Sequence, residues 1–415
     1  MTLAAQRSPQ PPDPVGVRVV AEADHAGVVE LTRELVRIPS RAGIDSYEPV
    51  IDHLTAWLSR HRLTPAVLRD DTGAPVAVTA EVSGERPGPH WVLDACLDTA
   101  PFGDEDRWTH PPASGHLADG WLWGRGSSDS KAAVAIFSHL AARLATAAGR
   151  LHGRLTLLFD LDEHTGGFAG AKTFFEGPDA PGDVAGVMIG YPGNDHLVTG
   201  GRGVHRAQLH VHGVASHSGG SRTTPGAIAK AAHLVRELTG RPLPAETTEH
   251  FPLPPKLTVT AISGGEGYSV TPDLCTLSID IRTTPTFDAT AATELLAQSA
   301  SDIDKEWPGT PPTLLQHHQT WPPYALPPTS PLRTALIDAA GAHGLRVRPK
   351  VAGPSNIGNY LAGLAIPATA GFGVTYQGLH ATDERIQTDT IPAVQATYHT
   401  ALEHLLGTPS GADTA

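Results

Sequence analysis

The chain has few cysteines, an excess of negative charge and no long apolar run. Its only cysteines, Cys96 and Cys275, lie far apart, which excludes a disulfide framework and favours a reducing compartment. The net charge of -13 excludes the basic footprint of a nucleic-acid or anionic-membrane binder. No apolar run approaches the roughly 18 residues of a membrane span, and the first residues lack a signal-peptide core. We therefore expect a cytoplasmic protein.

The length of 415 residues favours two domains, since a single core seldom grows so large. Residues 1–23 are rich in proline and polar residues and are expected to be a disordered tail. Short apolar runs then alternate with helical patterns, and this pattern resumes near the end of the chain. Residues 24–198 and 320–408 are therefore predicted to form one discontinuous α/β domain, a mostly parallel sheet flanked by helices.

Residues 199–319 have a different pattern and are predicted to form an inserted domain. The order of their apolar segments is strand, helix, strand, strand, helix, strand. This order is typical of a ferredoxin-like α+β domain with an antiparallel sheet.

Acidic and imidazole side chains cluster where the predicted strands of the larger domain end. These segments are ACLDTAP, DLDEHTGG, IGYPGN and GFGVTYQGLHATDE, and GRGSSDSK precedes a predicted helix. In open α/β sheets, ligands bind beyond the carboxyl ends of the strands. Carboxylates and imidazoles gathered there are able to bind a divalent metal, and a spare carboxylate is able to act as a base.

Together, these segments resemble the zinc family that contains acetylornithine deacetylase, succinyl-diaminopimelate desuccinylase, aminoacylases and glutamate carboxypeptidases. Further matching strings are WLWGRGSSDSK, FDLDEHTGGFAGA, ASHSGG, ISGGEGYSVTPD followed by IDIR, and GPSNIGNYLAGLAIPATAGFGV. The resemblance implies an enzyme with a catalytic domain and an inserted dimerisation, or lid, domain. Family members hydrolyse amide bonds with two zinc ions that share an aspartate.

Four residues of this chain match the family's active-site positions. The resemblance makes Asp129 the bridging aspartate and His380 the last histidine ligand. Asp98 would orient a metal ligand without binding the metal itself. Glu163 would be the general base that takes a proton from water and passes it to the leaving amine.

The other three ligand positions are substituted. Cys96 stands where the family has histidine, and His164 and Tyr191 stand where it has carboxylates. Because these changes remove negative charge, two buried dications would be poorly neutralised. Asp129, His164 and His380 still form a two-histidine, one-carboxylate set suited to Zn or Fe(II), with Cys96 a further candidate ligand. We therefore expect one divalent metal, with zinc the first choice, or none.

The resemblance also assigns roles in the inserted domain and in a glycine-rich loop. His217 in ASHSGG matches a histidine that enters the neighbouring subunit's active site, so a homodimer is expected. Arg282 matches an arginine that pairs with a substrate carboxylate. Ser269 occupies a position where the family often has asparagine. Gly353 and Asn356, with the intervening Ser355, would offer hydrogen-bond donors to the substrate.

Three functional hypotheses remain open at this stage. The first is an amidohydrolase or peptidase that acts on an N-acyl amino acid or small peptide through one metal, with Glu163 as base. The second is a metal-independent member that catalyses acyl transfer or another biosynthetic reaction, with Cys96 as a possible nucleophile. The third is a non-catalytic binding protein, against which the retained base argues.

Overall fold

A computed structural model describes residues 14–407. The helices of this range are α1 (Pro14–Val36), α2 (Glu48–Arg60), α3 (Ala132–Ala145), α4 (Ala169–Glu176), α5 (Ala227–Gly240), α6 (Ala289–Glu306), α7 (Pro331–Ala342), α8 (Ile357–Gly363) and α9 (Ile391–Gly407). The strands are β1 (Pro65–Arg69), β2 (Pro75–Ser83), β3 (Arg86–Cys96), β4 (His116–Ala118), β5 (Trp121–Trp123), β6 (His152–Asp160), β7 (Val184–Ile189), β8 (His196–Gly201), β9 (Gly203–His212), β10 (Ser216–His217), β11 (Lys256–Gly264), β12 (Val270–Thr271), β13 (Leu274–Thr283), β14 (Leu314–Trp321), β15 (Tyr324–Ala325), β16 (Arg348–Ala352), β17 (Ala368–Thr369), β18 (Tyr376–Gln377) and β19 (Arg385–Gln387). None of these helices is long and apolar enough to cross a bilayer.

The larger of two compact units contains a six-stranded sheet in the order β1-β2-β6-β3-β7-β17. Strands β6, β3, β7 and β17 run parallel to one another, whereas β2 runs antiparallel to both β1 and β6. Cys96, the last residue of β3, pairs with Asp160, the last residue of β6. The loops that follow these strands therefore leave the same edge of the sheet, as the sequence predicted.

The smaller unit contains a four-stranded antiparallel sheet in the order β11-β13-β9-β14. Alternate residues of β9 and β13 are buried, and they pack with α5 and α6 in one apolar cluster. Alternation arises because successive side chains of a strand point to opposite faces. Taken with the parallel strands of the larger sheet, this arrangement confirms the predicted α/β class with a ferredoxin-like second domain.

The division between the units differs from the predicted 199–319 insertion. The smaller unit comprises Gly200–Ala325 together with Val351–Ala365, which the sequence assigned in part to the larger domain. Strand β15 pairs with Gly200 and Gly201 of β8. The Asn359 side chain of α8 donates hydrogen bonds to the carbonyls of Gly201 and Pro322. These contacts join segments that are far apart in sequence, so the local pattern did not reveal them.

The predicted disordered tail is wrong for residues 14–23, which form the first turns of α1. Val17 and Ala21 are buried against Ala396 of α9. Further along the same helix, Asp24 accepts hydrogen bonds from Arg143 and Gln395. Packing of the buried face of α1 against other parts of the unit stabilises the helix, although the sequence around its start is rich in proline. The rest of the predicted tail, 1–13, and the terminal 408–415 lie outside the described residues.

Candidate active site

Asp129 lies at the centre of a buried cluster of polar side chains in the larger unit. It belongs to an irregular turn, Ser127–Lys131, that leads into α3, and its own backbone angles are not helical. Its Oδ2 atom is 2.7 Å from His380 Nε2 and 3.6 Å from His164 Nε2. Burial disfavours its charged form, but the neighbouring imidazoles of His164 and His380 outweigh this effect and lower the pKa of Asp129. The two predicted histidine ligands thus converge on one carboxylate oxygen.

Asp98 holds the loop that carries Glu163 and His164. The backbone amides of these two residues donate hydrogen bonds to its carboxylate, at 3.3 Å and 3.1 Å. The loop is also fixed at its other end, where Asp162 Oδ2 accepts a hydrogen bond from the amide of Ala169, the first residue of α4. The position of the Glu163–His164 pair is therefore set from both sides.

Glu163 lies beside the histidine cluster and reaches solvent. Its Oε2 atom is 3.6 Å from His164 Nδ1, and its side chain is 25% exposed. Burial and then the charge of Asp129 raise the pKa of Glu163 to about 7. A carboxylate with a pKa near neutrality is suited to take up and release a proton at physiological pH.

His164 has the surroundings of a metal ligand. Both of its ring nitrogens are buried and lack a hydrogen bond of good geometry to any described residue, although Asp98 Oδ2 is 3.3 Å from Nδ1. Burial lowers its pKa, but Asp129 and Asp98 outweigh burial and raise the pKa to about 11. A cation is therefore favoured at this position, and a divalent metal would satisfy the nitrogen atom that faces Asp129.

Two overlapping sets of side chains are compact enough to hold a metal ion. In each set the candidate ligand atoms lie within 4.8 Å of one another. One set is Asp129, His164 and His380, and the other is Cys96, Glu163 and His164. Two imidazoles with a carboxylate suit Zn or Fe(II), so the residues present fit a divalent cation.

The two remaining substituted positions carry neutral side chains. Cys96 is buried and its Sγ donates a hydrogen bond to Asp129 Oδ1 at 3.3 Å. Burial and the nearby Asp129 charge raise the pKa of this thiol well above its usual range. The same two effects, in the same order, raise the pKa of Tyr191 above its usual range. Cys96 and Tyr191 therefore add no negative charge to the cluster around Asp129.

His217 and Ser269 lie next to each other in the smaller unit. His217 forms strand β10, which pairs with β12, and its Nδ1 accepts a hydrogen bond from the Gly219 amide at 3.0 Å. The carbonyl of Ser269 accepts a hydrogen bond from the amide of Ser218. Because His217 is exposed, its Nε2 is available to a ligand or a partner, and its assigned role stays a prediction.

The predicted substrate-binding residues Arg282, Gly353 and Asn356 also lie in the smaller unit. Arg282 pairs with Asp280 at 2.7 Å and donates a hydrogen bond to Ser355 Oγ at 3.2 Å. The Gly353 carbonyl accepts a hydrogen bond from Arg202. Asn356 caps α8, with its side-chain oxygen accepting from the Gly358 amide. The substrate role of Arg282 and its neighbours stays a prediction, and the Asn356 oxygen already serves the helix cap.

Sequence reasoning gave no role to two buried charged residues near the cluster, Arg125 and Glu384. Arg125 Nη1 lies 2.6 Å from Glu384 Oε2, and the two side chains are 3% and 0% exposed. Arg125 precedes Asp129 within GRGSSD, and Glu384 follows His380 within HATDE. The sequence signal that could have identified this pair is the presence of opposite charges close to two predicted metal ligands.

A model of Peptidase family M20/M25/M40 matches residues 92–404. The chain is 27% identical over 385 residues to a succinyl-diaminopimelate desuccinylase of Gluconacetobacter diazotrophicus, covering 91% of this chain and 96% of the relative. It is 33% identical over 216 residues to a desuccinylase of Paracoccus denitrificans, a match that spans 50% of this chain and 56% of that relative.

Solved structures share the fold at low sequence identity. Aminopeptidase PepT of Bacillus cereus gives a TM-score of 0.72 at 16% identity, covering 92% of this chain and 98% of that chain. The YXEP protein of Bacillus subtilis, described as a dinuclear metal-binding peptidase, gives 0.71 at 16% identity, covering 93% of this chain and 99% of that one. The predicted family resemblance and enzyme class are thereby confirmed. The chain belongs to Peptidase family M20/M25/M40, the metallopeptidases and amidohydrolases that cleave amide bonds.

Proposed function

We propose that this enzyme hydrolyses the amide bond of an N-acyl amino acid or small peptide, with one divalent metal at Asp129, His164 and His380. The observation that carries this proposal is the convergence of both imidazoles on Asp129 Oδ2, with the Glu163 carboxylate beside them. Zinc is the first choice because it accepts nitrogen and oxygen ligands in a small coordination shell.

The chemistry divides between the metal and Glu163. When bound, the cation acts as a Lewis acid toward the substrate carbonyl and water. Glu163 accepts a proton from the attacking water and delivers it to the leaving nitrogen. Asp98 holds this base in place through the Glu163 and His164 amides. Each step uses a residue whose side chain lies at the same sheet edge.

The substrate class rests on the named relatives and on Arg282. The relatives are named desuccinylases, and solved neighbours include human carnosine dipeptidase 1. All of these names denote cleavage of an amide bond to an amino acid. Arg282, with Ser355 on one of its nitrogens, would anchor the substrate's carboxylate. We therefore place N-succinyl amino acids and dipeptides first among candidate substrates.

Metal content and the Glu163→Gln variant test this proposal. We expect about one zinc per chain by elemental analysis, and loss of amidase activity on chelation with recovery on zinc addition. Glu163→Gln should abolish turnover on N-succinyl amino acids and dipeptides while circular dichroism and zinc content stay unchanged. Glu246→Gln, at an exposed glutamate, is the matched control. Near-normal turnover by Glu163→Gln would show that the base is wrongly assigned.

A metal-independent reaction through Cys96 is the second candidate. It is favoured by the Cys96 Sγ and a His164 nitrogen lying within 4.8 Å. Against it, the thiol donates its hydrogen to Asp129 rather than to an imidazole. Cys96→Ser keeps a donor to Asp129 and should retain turnover if the metal mechanism holds. Loss of turnover in Cys96→Ser, together with insensitivity to chelators, would instead favour covalent catalysis.

We further propose a homodimer in which His217 serves the partner's active site. The exposed His217 ring supports this arrangement, as does edge strand β11, which pairs with β13 on one side and with no strand of the described residues on the other. Variants His217→Ala and Glu163→Gln should each be inactive, but subunits mixed after dissociation should regain activity. Random pairing of an isologous dimer gives about a quarter of the wild-type rate. A monomer in sedimentation, or a mixture that stays inactive, would contradict the exchange of His217.

A further inference from the structure

We propose that the buried Arg125–Glu384 pair positions Asp129 and His380 relative to each other, and thereby sets the affinity of the site for its divalent cation. The affinity claim rests on the ligand set proposed above, whereas the positioning claim concerns the protein alone. Neither side chain contacts the Asp129 carboxylate or the His380 ring, so both are positioning residues.

Glu384 holds the turn that carries Asp129. Its Oε1 atom accepts hydrogen bonds from the Ser128 amide at 2.9 Å, the Ser128 hydroxyl at 2.7 Å and the Asp129 amide at 3.3 Å. Three donors from two successive residues therefore meet one fully buried carboxylate oxygen. Hydrogen bonds to a charged acceptor are stronger than neutral ones, so this contact fixes the Asp129 backbone.

Arg125 connects that turn to the loop that carries His380. Its Nη1 donates to Glu384 Oε2 at 2.6 Å, and its Nη2 donates to the His380 carbonyl at 3.4 Å. Its Nε donates to the carbonyl of Pro101, in the segment that follows Asp98. The planar guanidinium thus joins three loops at fixed angles, which a lysine would not reproduce.

The loop from His380 to Glu384 is further tied at Asp383. The carboxylate of Asp383 accepts hydrogen bonds from the Thr109 amide at 2.8 Å and the Thr109 hydroxyl at 2.7 Å. His380 itself has a positive φ of 55°, a conformation that L-residues seldom adopt. External contacts therefore maintain the backbone from which the His380 ring reaches Asp129.

The Arg125–Glu384 pair acts by fixing the positions of the metal ligands and not by adding charge to the site. Arg125 and Glu384 compensate each other, so together they add no net charge near the metal. Metal–ligand distances in well-formed sites agree with their standard values to about 0.2 Å, so ligand positions must be held closely. Partners that orient ligands from outside the coordination shell typically change metal affinity by about 10–100-fold. We expect an effect of that size from the pair.

The test compares two double variants that each remove an ion pair. Arg125→Met/Glu384→Leu removes both charges, which avoids leaving one charge buried and uncompensated. Lys230→Met/Asp304→Leu is the control, because the fully buried Lys230 pairs with the partly exposed Asp304 at 2.7 Å in the smaller unit. Zinc affinity is measured by competition with a chromophoric chelator, and folding by circular dichroism. We expect about 10–100-fold weaker binding in the first variant and unchanged binding in the control.

A second measurement separates this inference from the proposed function. Crystal structures of the metal-free wild type and variant give the distance from Asp129 Oδ2 to His380 Nε2, which is 2.7 Å in the intact site. We expect this contact to be broken in Arg125→Met/Glu384→Leu. If wild type binds no metal, the metal proposal fails, and the distance still decides the positioning claim. An unchanged distance overturns that claim, and unchanged zinc affinity overturns the link to the metal.

A milder variant covers the case in which the double variant does not fold. Ser128→Ala removes one donor to Glu384 and leaves the Arg125 pair intact. We expect a smaller loss of zinc affinity in the same direction, with the melting temperature of the metal-free protein nearly unchanged. Full affinity in this variant would overturn the role given to the Ser128 contact and with it the inference.

Discussion

Two buried carboxyl groups beneath the active site should make the protein less stable as the pH rises. Asp94 on β3 and Asp160 on β6 are both fully buried, and none of their four carboxyl oxygens accepts a hydrogen bond within the described residues. Burial, and then the charge of Glu163, raise the pKa of Asp94 to about 8. Burial and the neighbouring Asp94 raise the pKa of Asp160 as well. The folded protein therefore holds at least one proton that the unfolded chain releases.

The sign and size of the effect follow from proton linkage. Asp94 has a reference pKa of 3.8 and a folded pKa of about 8, so between these values the folded state binds the extra proton. Stability then falls as pH rises, by about 1.4 kcal/mol per pH unit for each such proton. From pH 5 to pH 7 the loss due to Asp94 is about 3 kcal/mol. Asn at this position does not ionise, so Asp94→Asn should lack that part of the slope.

The assay is the melting temperature of wild type and Asp94→Asn between pH 5 and pH 7, followed by circular dichroism. At about 2 °C per kcal/mol for a unit of this size, the difference between the two should grow by about 5 °C in favour of the variant over this range. Asp71→Asn, at an exposed aspartate, serves as the control and should follow wild type. A difference between wild type and Asp94→Asn that stays constant with pH would refute the protonation of Asp94.

Two further predictions concern the packing of a helix and the loss of an ion pair. In chemical denaturation, Gly170→Ala in α4 should lower the free energy of unfolding by several kcal/mol, because the added Cβ would overlap Asp160 Oδ1. Gly341→Ala in α7 is the control: its added Cβ has free space, so the free energy of unfolding should rise by about 1 kcal/mol. Equal effects of the two variants would contradict this prediction. Lys230→Met should lower the free energy of unfolding by about 1–3 kcal/mol. This loss is below the usual cost of breaking a buried pair because Asp304 is 23% exposed. An unchanged midpoint of urea denaturation would contradict this prediction.

The position of the candidate active site was predictable from the sequence because it depends on local patterns. Apolar runs located the ends of β3 and β6, and the parallel sheet then brought Asp98 and Glu163 to one edge. Helix α1 was predicted to start too late. Its first turns are stabilised by contact between Val17 and Ala396, and no local pattern encodes a contact across that distance.

The supporting residues of the site were not predictable in the same way. Arg125 and Glu384 are 259 residues apart, and their contact exists only because two loops meet. The raised pKa of Asp94 likewise depends on burial within the folded sheet and on the charge of Glu163, which lies in the loop after β6. Sequence motifs identify the side chains that do chemistry, whereas the contacts that hold and tune them depend on the tertiary fold.

The substitutions at positions 96 and 164 are easier to understand together than separately. By family resemblance, Asp98 would orient a histidine at position 96, but Cys96 has no imidazole to receive it. In this chain Asp98 Oδ2 instead lies 3.3 Å from Nδ1 of His164, and His164 Nε2 faces Asp129. A carboxylate behind a histidine ring typically orients the opposite nitrogen toward a metal. The pair of changes thus places an imidazole where Asp98 is able to orient it toward Asp129, as the proposed single metal at Asp129 would require.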